Sequence, residues 1–166
     1  MSFDHKKISV LDSLIEICDI HASRLHMAHV HVAPLSPFDA KIISNLQDEQ
    51  ISFIELLISR FTKLQDVLGA KLFPLLLDFL QAEGRPQGFL DVLHQMEKLD
   101  LLESSKQWIA MRELRNHLTH EYPDNPDLVA DNLNKSIKSS SELLEYWSLL
   151  KKKIEVIKKQ WNLELQ

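Results

Sequence analysis

The chain has 166 residues, of which 45% are hydrophobic and 26% are charged, and its formal net charge at pH 7 is −5. This length suits one domain whose core is large enough to fold without disulfides or a structural metal. The acidic balance argues against a general electrostatic attraction to nucleic acid, so an RNA contact would need a local basic site. The single cysteine, Cys18, excludes an intramolecular disulfide and is typical of a reducing compartment.

Neither export nor membrane insertion is expected from this sequence. The basic pair Lys6-Lys7 is followed by a segment that is too short and too polar for the apolar part of a signal peptide. The longest apolar stretches are interrupted by Pro74 and Asp78, so we do not expect them to span a membrane. These features favour a cytoplasmic protein.

The first half of the chain is predicted to form two long amphipathic helices. Residues 6–28 place apolar side chains at spacings of three and four, the period of one helix face, and Cys18 lies on that face. Residues 30–37 contain two prolines and are expected to lead to a second helix, with Ser36 or Asp39 as its N-cap. This second helix repeats the spacing at Ile54, Leu57, Phe61, Leu64 and Leu68.

The end of the second helix is predicted to be irregular. Gly69 or Pro74 is expected to kink it or to start another helix, because proline interrupts helical hydrogen bonding outside the first turn. Residues 72–80 are apolar on nearly every side, which indicates deep burial or a subunit interface. Residues 81–88 contain two glycines and a proline and are predicted to form a loop.

Three more helices are predicted in the second half, at about residues 88–98, 103–118 and 127–160, with a proline-rich turn before the last. Trp108 and Trp147 fit core packing better than base stacking. The architecture expected from these elements is all-α, an antiparallel helical bundle of four to five helices with a long C-terminal helix. We divide the chain into a bundle at residues 1–150 and a basic extension of the last helix at 151–166.

One short segment has a distinct chemical character. Arg115, Asn116, His120 and Tyr122 lie where the apolar period ends, just before Pro123. A guanidinium stabilises negative charge on a reacting phosphate, and an imidazole moves protons near its own pKa of about 6.5. Basic residues at a helix C-terminus also complement the helix dipole, so a purely structural role is open too. Arg-x4-His followed by Tyr at this spacing has a chance probability of roughly 0.003 in a chain of this composition.

This arrangement resembles the Arg-x4-His-x-Tyr signature of the HEPN superfamily, specifically its HepT-like toxins. The upstream Trp108 and the long helix after the motif also fit, so the resemblance covers roughly residues 5–150. It implies a metal-independent endoribonuclease that needs no cofactor and acts on RNA as a homodimer, with two motif copies facing one cleft. It also implies a partner, a nucleotidyltransferase antitoxin of the MntA type, which transfers AMP to the motif tyrosine.

Mapped on this chain, the resemblance implies that Arg115 and His120 are catalytic and that Tyr122 is the AMPylated residue. Asn116 matches the polar residue that often follows the motif arginine. If the helix continued, Asn116 and His120 would lie at i and i+4, and the carboxamide would orient the imidazole. The chain is longer than most members of the family, and His117 adds a second imidazole beside the motif.

Two other functions remain open at this point. In one, the chain is an accessory subunit of a nucleotidyltransferase that binds a nucleotide or substrate without cutting RNA. In the other, it is a structural dimerisation bundle, and replacing Arg115 or His120 changes only stability. His26 and His29 have the spacing of a metal-ligand pair, but no nearby Cys, Asp or Glu completes a tetrahedral set. The run 151–153, three lysines, would attract RNA or form a solvated helix face.

Overall fold

The computed structural model describes residues 2–80, 84–120 and 124–164. Within these ranges every regular element is helical, which confirms the predicted all-α bundle with a long C-terminal helix. The elements are α1 (Ser2–Val32), a 3₁₀ turn (Ala33–Leu35), α2 (Ala40–Ser44), α3 (Asp48–Val67), a π-helical turn (Leu68–Leu72), α4 (Phe73–Phe79), α5 (Phe89–Lys98), α6 (Ser105–Thr119) and α7 (Pro126–Glu164).

The first connection begins later than the sequence pattern predicts. Helix α1 runs to Val32, whose side chain is fully buried, so packing keeps residues 29–32 helical up to the 3₁₀ turn. The predicted cap is confirmed at Asp39, whose carboxylate accepts a hydrogen bond from the Ile42 amide at 2.8 Å.

The predicted second helix is divided into α2 and α3 at Asn45–Gln47. The Asn45 carboxamide donates to the Lys41 carbonyl at 2.7 Å and so occupies a carbonyl of the last turn of α2. Gln47 and Gln50 then form a reciprocal capping box that starts α3. Polar side chains form this break, and it contains neither proline nor glycine. The spacing of the apolar residues therefore did not predict it.

The region around Gly69 and Pro74 is irregular, as predicted. The π-helical turn at Leu68–Leu72 follows α3 directly, and Pro74 lies in the first turn of α4, where it costs no internal hydrogen bond. The apolar stretch at residues 72–80 is deeply buried rather than exposed. Its buried members are Leu72, Phe73, Leu76, Leu77 and Phe79.

The long helices form a bundle in which α1 packs against α3 and α7, while α6 packs against α3, α5 and α7. Helices α1 and α6 therefore occupy opposite corners of the bundle. Both tryptophans expected in the core are buried, and Trp108 lies 4.8 Å from Phe73 and 5.8 Å from Tyr146 between ring centroids. Cys18 is also fully buried, and burial, followed by the nearby Asp19 charge, raises the pKa of its thiol to about 12.

The basic C-terminal segment is part of the packed bundle. Helix α7 passes residue 150 without a break, and Ile154 is fully buried. Lys151 forms an ion pair with Asp19 of α1. Lys158 does the same with Asp12, at 2.6 Å. These lysines tie α7 to α1. Among the described residues no helix is long and apolar enough for a membrane span.

Candidate functional site

Helix α6 carries the candidate residues to the surface of the bundle. It begins at Ser104, whose hydroxyl accepts from the Gln107 amide at 3.1 Å, and it buries Trp108, Met111 and Leu114 on one face. The helix ends at Thr119. His120 is the next residue, and its extended backbone (φ −90°, ψ 138°) turns the chain away from the helix axis.

Arg115 is fixed by a contact that the sequence did not predict. Its guanidinium forms an ion pair with Asp66 near the C-terminal end of α3, through Nη1 and the carboxylate Oδ1. The Arg115 side chain is 17% exposed and the Asp66 side chain is 55% exposed, so the pair lies at the solvent boundary. The guanidinium is held in one direction while one edge stays near solvent.

Asn116 is placed beside Arg115. Its carboxamide Oδ1 accepts a hydrogen bond from Arg115 Nη2 at 3.2 Å. Its backbone carbonyl accepts from the Thr119 hydroxyl at 3.0 Å. The helical i, i+4 relation proposed between Asn116 and His120 is not realised, because His120 has left the helix and its amide donates to the His117 carbonyl at 3.4 Å.

The third motif residue, Tyr122, lies outside the described residues, as do Glu121 and Pro123. The chain is described again from residue 124. There the Asn125 side chain accepts from the Leu128 amide at 3.1 Å and caps the start of α7. The imidazole of His120 is therefore on a short connection between two long helices, each anchored in the core.

The Arg115 guanidinium also lines a cavity of about 110 Å³ between α3, the π-helical turn, α5 and α6. Arg112 lies on the same wall, with its guanidinium carbon 4.3 Å from the centroid of the Phe89 ring. Neither Asp66 nor Arg112 was predicted as a site residue from the sequence. Arg112 was detectable, since Trp108, Arg112 and Arg115 have the i, i+4, i+7 spacing of one helix face. Asp66 is 49 residues from Arg115 along the chain, and no local pattern connects them.

Three histidines of α1 take part in separate structural contacts, and His26 of the candidate metal pair forms none with a described residue. His21 Nδ1 lies 3.0 Å from Arg60 Nη1, and His29 Nε2 lies 3.1 Å from the Ile137 carbonyl oxygen. His31 stacks on Phe53 with ring centroids 3.9 Å apart. Within residues 2–80, 84–120 and 124–164, no three metal-binding side chains are grouped closely enough to hold an ion.

Comparison of this chain with protein-family models, with curated proteins and with solved structures finds no match. The functional interpretation therefore depends on the residues of the site and on their chemistry.

Proposed function

We propose that this chain is a metal-independent endoribonuclease of the HEPN type and the toxin of a toxin–antitoxin pair. The observation that carries the proposal is the Arg115-x4-His120-x-Tyr122 motif at the open end of α6. RNA cleavage without a metal needs a cation that stabilises the phosphate charge and a base that moves a proton. Here these groups are the guanidinium of Arg115, whose direction is fixed, and the exposed imidazole of His120, which lies within one turn of the helix end.

In the proposed reaction, His120 accepts the proton of a ribose 2′-hydroxyl. The 2′-oxygen then bonds to phosphorus, the bond from phosphorus to the 5′-oxygen breaks, and the leaving 5′-oxygen takes a proton from water. Arg115 binds the phosphate and stabilises the charge that grows on its equatorial oxygens. Asn116 accepts a hydrogen bond from Arg115 and so supports the arginine rather than the histidine. The products are a 2′,3′-cyclic phosphate and a 5′-hydroxyl.

When no RNA is bound, the Asp66 carboxylate pairs with Arg115. An RNA phosphate must therefore share or displace this carboxylate before the guanidinium is fully available. The same pairing favours the second candidate function, a non-catalytic accessory subunit that binds a nucleotide or substrate of a nucleotidyltransferase. There Arg115 holds a phosphate and His120 only donates a hydrogen bond.

The proposal includes a homodimer. Its support is a row of exposed apolar side chains on α1, which are Val10, Ile17, Ile20, Met27 and Val30. Glu16 and Arg24 are both exposed and lie four residues to either side of Ile20. A second copy of α1 running antiparallel and centred on Ile20 places each Glu16 opposite an Arg24. Since α1 and α6 lie at opposite corners, this pairing leaves both motifs open to RNA and to the antitoxin. It does not bring the two motif copies to one cleft, unlike the arrangement that the family resemblance implies, so each proposed site acts within its own copy.

The proposed antitoxin is a nucleotidyltransferase of the MntA type that adds AMP to Tyr122. An adenylate beside Arg115 and His120 would bring bulk and negative charge to the phosphate site and would repel RNA. Mass measurement of the protein, made with and without the product of a neighbouring nucleotidyltransferase gene, tests this step. A gain of one or more adenylates that disappears in Tyr122→Phe supports it, and an unchanged mass refutes it.

Growth on induction of this chain alone tests the toxin proposal and separates it from the accessory role. We expect growth arrest with the wild-type chain and normal growth with His120→Ala. His117→Ala is the matched control, because His117 is an exposed histidine on the last turn of the same helix, and it should still arrest growth. Harmless wild-type expression would favour the accessory subunit.

A further inference from the structure

The cavity beside Arg115 has an unused hydrogen-bond donor in its wall. Trp108 is only 3% exposed as a residue, but its indole Nε1, which forms no hydrogen bond with a described residue, is not fully enclosed and is open to the cavity. By contrast, the indole Nε1 of Trp147 donates to Asp19 at 2.9 Å. The Trp108 nitrogen is therefore able to donate to water or to a ligand that enters the cavity.

The indole nitrogen faces the side of the cavity formed by the π-helical turn. A Cβ atom built on Gly69, which lines the cavity, would lie 3.5 Å from Trp108 Nε1 and 3.5 Å from the Phe89 ring. Gln65, at the end of α3, lines the same space; it is 2% exposed, and neither polar atom of its carboxamide has a hydrogen-bond partner. Within the described residues, the enclosed carboxamide of Gln65 has no hydrogen-bond partner, and the Trp108 indole nitrogen opens to the same small cavity.

The charges at the cavity favour an anion. Arg112 and Arg115 carry two positive charges against the one negative charge of Asp66, so the lining has a net positive charge. Arg112 stacks on Phe89 and forms no ion pair with a described carboxylate, which leaves its guanidinium available to an acceptor. The spacing of Trp108, Arg112 and Arg115 places an indole donor and two guanidinium groups along one face of α6.

The size of the cavity limits what it holds. Its volume of about 110 Å³ is smaller than the roughly 150 Å³ of an engineered cavity that binds one benzene molecule. A nucleoside does not fit, and Arg112 already covers one face of the Phe89 ring, which leaves no open stacking platform there. A single tetrahedral oxyanion presents only acceptor atoms and suits donors of this kind.

We propose that this cavity is a phosphate site, in which Trp108 and Arg112 bind the phosphate next to the scissile phosphate of the RNA strand. Arg115 lies at the edge of the cavity, between this phosphate and the scissile phosphate. The assignment of this phosphate to RNA rests on the proposed ribonuclease function, whereas the preference for a phosphate group rests on the cavity itself.

Titration of the folded protein with sodium phosphate, followed by the ¹⁵N-indole signals in NMR spectra, tests the site directly. The Trp108 signal is the one that Trp108→Phe removes. We expect it to shift saturably with phosphate and to stay in place with sodium chloride at equal ionic strength. The signal of Trp147, whose indole already has an acceptor, should not move. A Trp108 signal that does not respond to phosphate overturns the proposal, and a response to both salts alike identifies non-specific screening and overturns it too.

Two substitutions make the test specific. Gly69→Ala adds a methyl group at ordinary contact distance from Trp108 and Phe89, so it narrows the cavity beside the indole nitrogen without backbone strain and should reduce the shift. Arg112→Gln removes one charged donor and should weaken phosphate binding about tenfold. Arg85→Gln, which changes an exposed arginine outside the cavity lining, is the control and should bind phosphate as the wild type does. Wild-type binding by Arg112→Gln contradicts the assignment, even if Gly69→Ala fails to fold.

RNA assays separate this proposal from the nuclease proposal. If phosphate moves the Trp108 signal but RNA is not cut, the anion site stands and the ribonuclease function fails. If RNA is cut, we expect Arg112→Gln to raise KM about tenfold while kcat stays close to that of the wild type. RNA carrying an uncharged methylphosphonate next to the scissile bond should show the same rise with the wild type and no further rise with Arg112→Gln. Cleavage with unchanged KM in both cases refutes the site and leaves the nuclease.

Discussion

Asp66 and Arg115 form an ion pair between the C-terminal part of α3 and the last turns of α6. The pair joins a residue outside the Arg115-x4-His120-x-Tyr122 motif to the guanidinium of the first motif residue. It fixes the direction of Arg115, and it also places a negative charge where a phosphate is expected to bind.

Replacing Asp66 with asparagine tests this double effect. Asp66→Asn keeps the shape of the side chain and removes its charge, so we expect RNA to bind several-fold more tightly and with a steeper salt dependence. The free energy of unfolding should change by less than about 1 kcal/mol, because Asp66 is 55% exposed. Binding is measured with His120→Ala as the background, so that RNA is not consumed.

Asp12→Asn is the matched control for that prediction. Asp12 is 52% exposed and pairs with Lys158 on the other side of the bundle, so it has the same chemistry away from the motif. It should leave RNA binding unchanged. Equal effects of Asp66→Asn and Asp12→Asn would mean that only the overall charge matters and that Asp66 has no specific relation to Arg115.

The exposed apolar face of α1 predicts the oligomeric state. Ile20 is 43% exposed at the centre of the proposed antiparallel pairing, where it meets its own copy. Ile20→Glu places two like charges together, so we expect light scattering to change from a dimer to a monomer. Exposed Leu149 on α7, changed to Glu, should leave the dimer intact. A wild-type chain that is monomeric at all concentrations would remove the α1 interface.

The contact between His21 and Arg60 predicts a pH dependence of stability. Burial, and then the charges of Arg60, Lys63 and Arg24, lower the pKa of His21 below its ordinary value of 6.5. Below that pH the unfolded chain binds a proton more readily than the folded chain does. The free energy of unfolding therefore falls as the pH decreases through about 6.5, and this loss stops only below the lowered pKa of the folded state.

Urea unfolding of the wild type and of His21→Gln at a series of pH values between 7.5 and 5 measures this effect. Glutamine does not titrate, so the stability of the wild type relative to the variant should decrease as the solution becomes more acidic. A difference between the two proteins that is constant across the series would show that folding does not disfavour protonation of His21.

Two residues of α7 beyond position 150 are expected to contribute very differently to the free energy of unfolding. Ile154 is fully buried, whereas Val156 is 55% exposed. Ile154→Ala should lower the free energy of unfolding by about 2–5 kcal/mol, and Val156→Ala should change it by less than about 0.5 kcal/mol. Chemical denaturation measures both. Equal small effects would mean that the basic extension contributes nothing to the bundle.

The helical spacing of the apolar residues predicted most of the fold. It located α1, α5, α6 and α7, because each buries one apolar face along its length. It did not separate α2 from α3, since that break is made by the side-chain hydrogen bonds of Asn45 and Gln47, which leave the apolar spacing unchanged. The irregularity after α3 was predictable from Gly69 and Pro74, but its π-helical form was not, because neither residue specifies that hydrogen-bond pattern.

Only the part of the candidate site that is formed by residues close together in the sequence was predictable. Arg115, Asn116 and His120 follow from one short motif. The role proposed for Asn116 changes because His120 lies outside the helix, and the Asn116 side chain accepts from Arg115 instead. Asp66 and Gln65 come to the site through the packing of α3 against α6, and a single sequence has no signal for that contact.

Cleavage of RNA by the purified protein in the presence of EDTA tests the central claim most directly. We predict RNA fragments that end in a 2′,3′-cyclic phosphate with the wild type and with His117→Ala, and loss of at least about 100-fold in rate with Arg115→Ala and with His120→Ala. Circular dichroism should show the same helix content for all four proteins. Intact RNA with the wild type, or equal cleavage by the folded His120→Ala variant, would contradict the account.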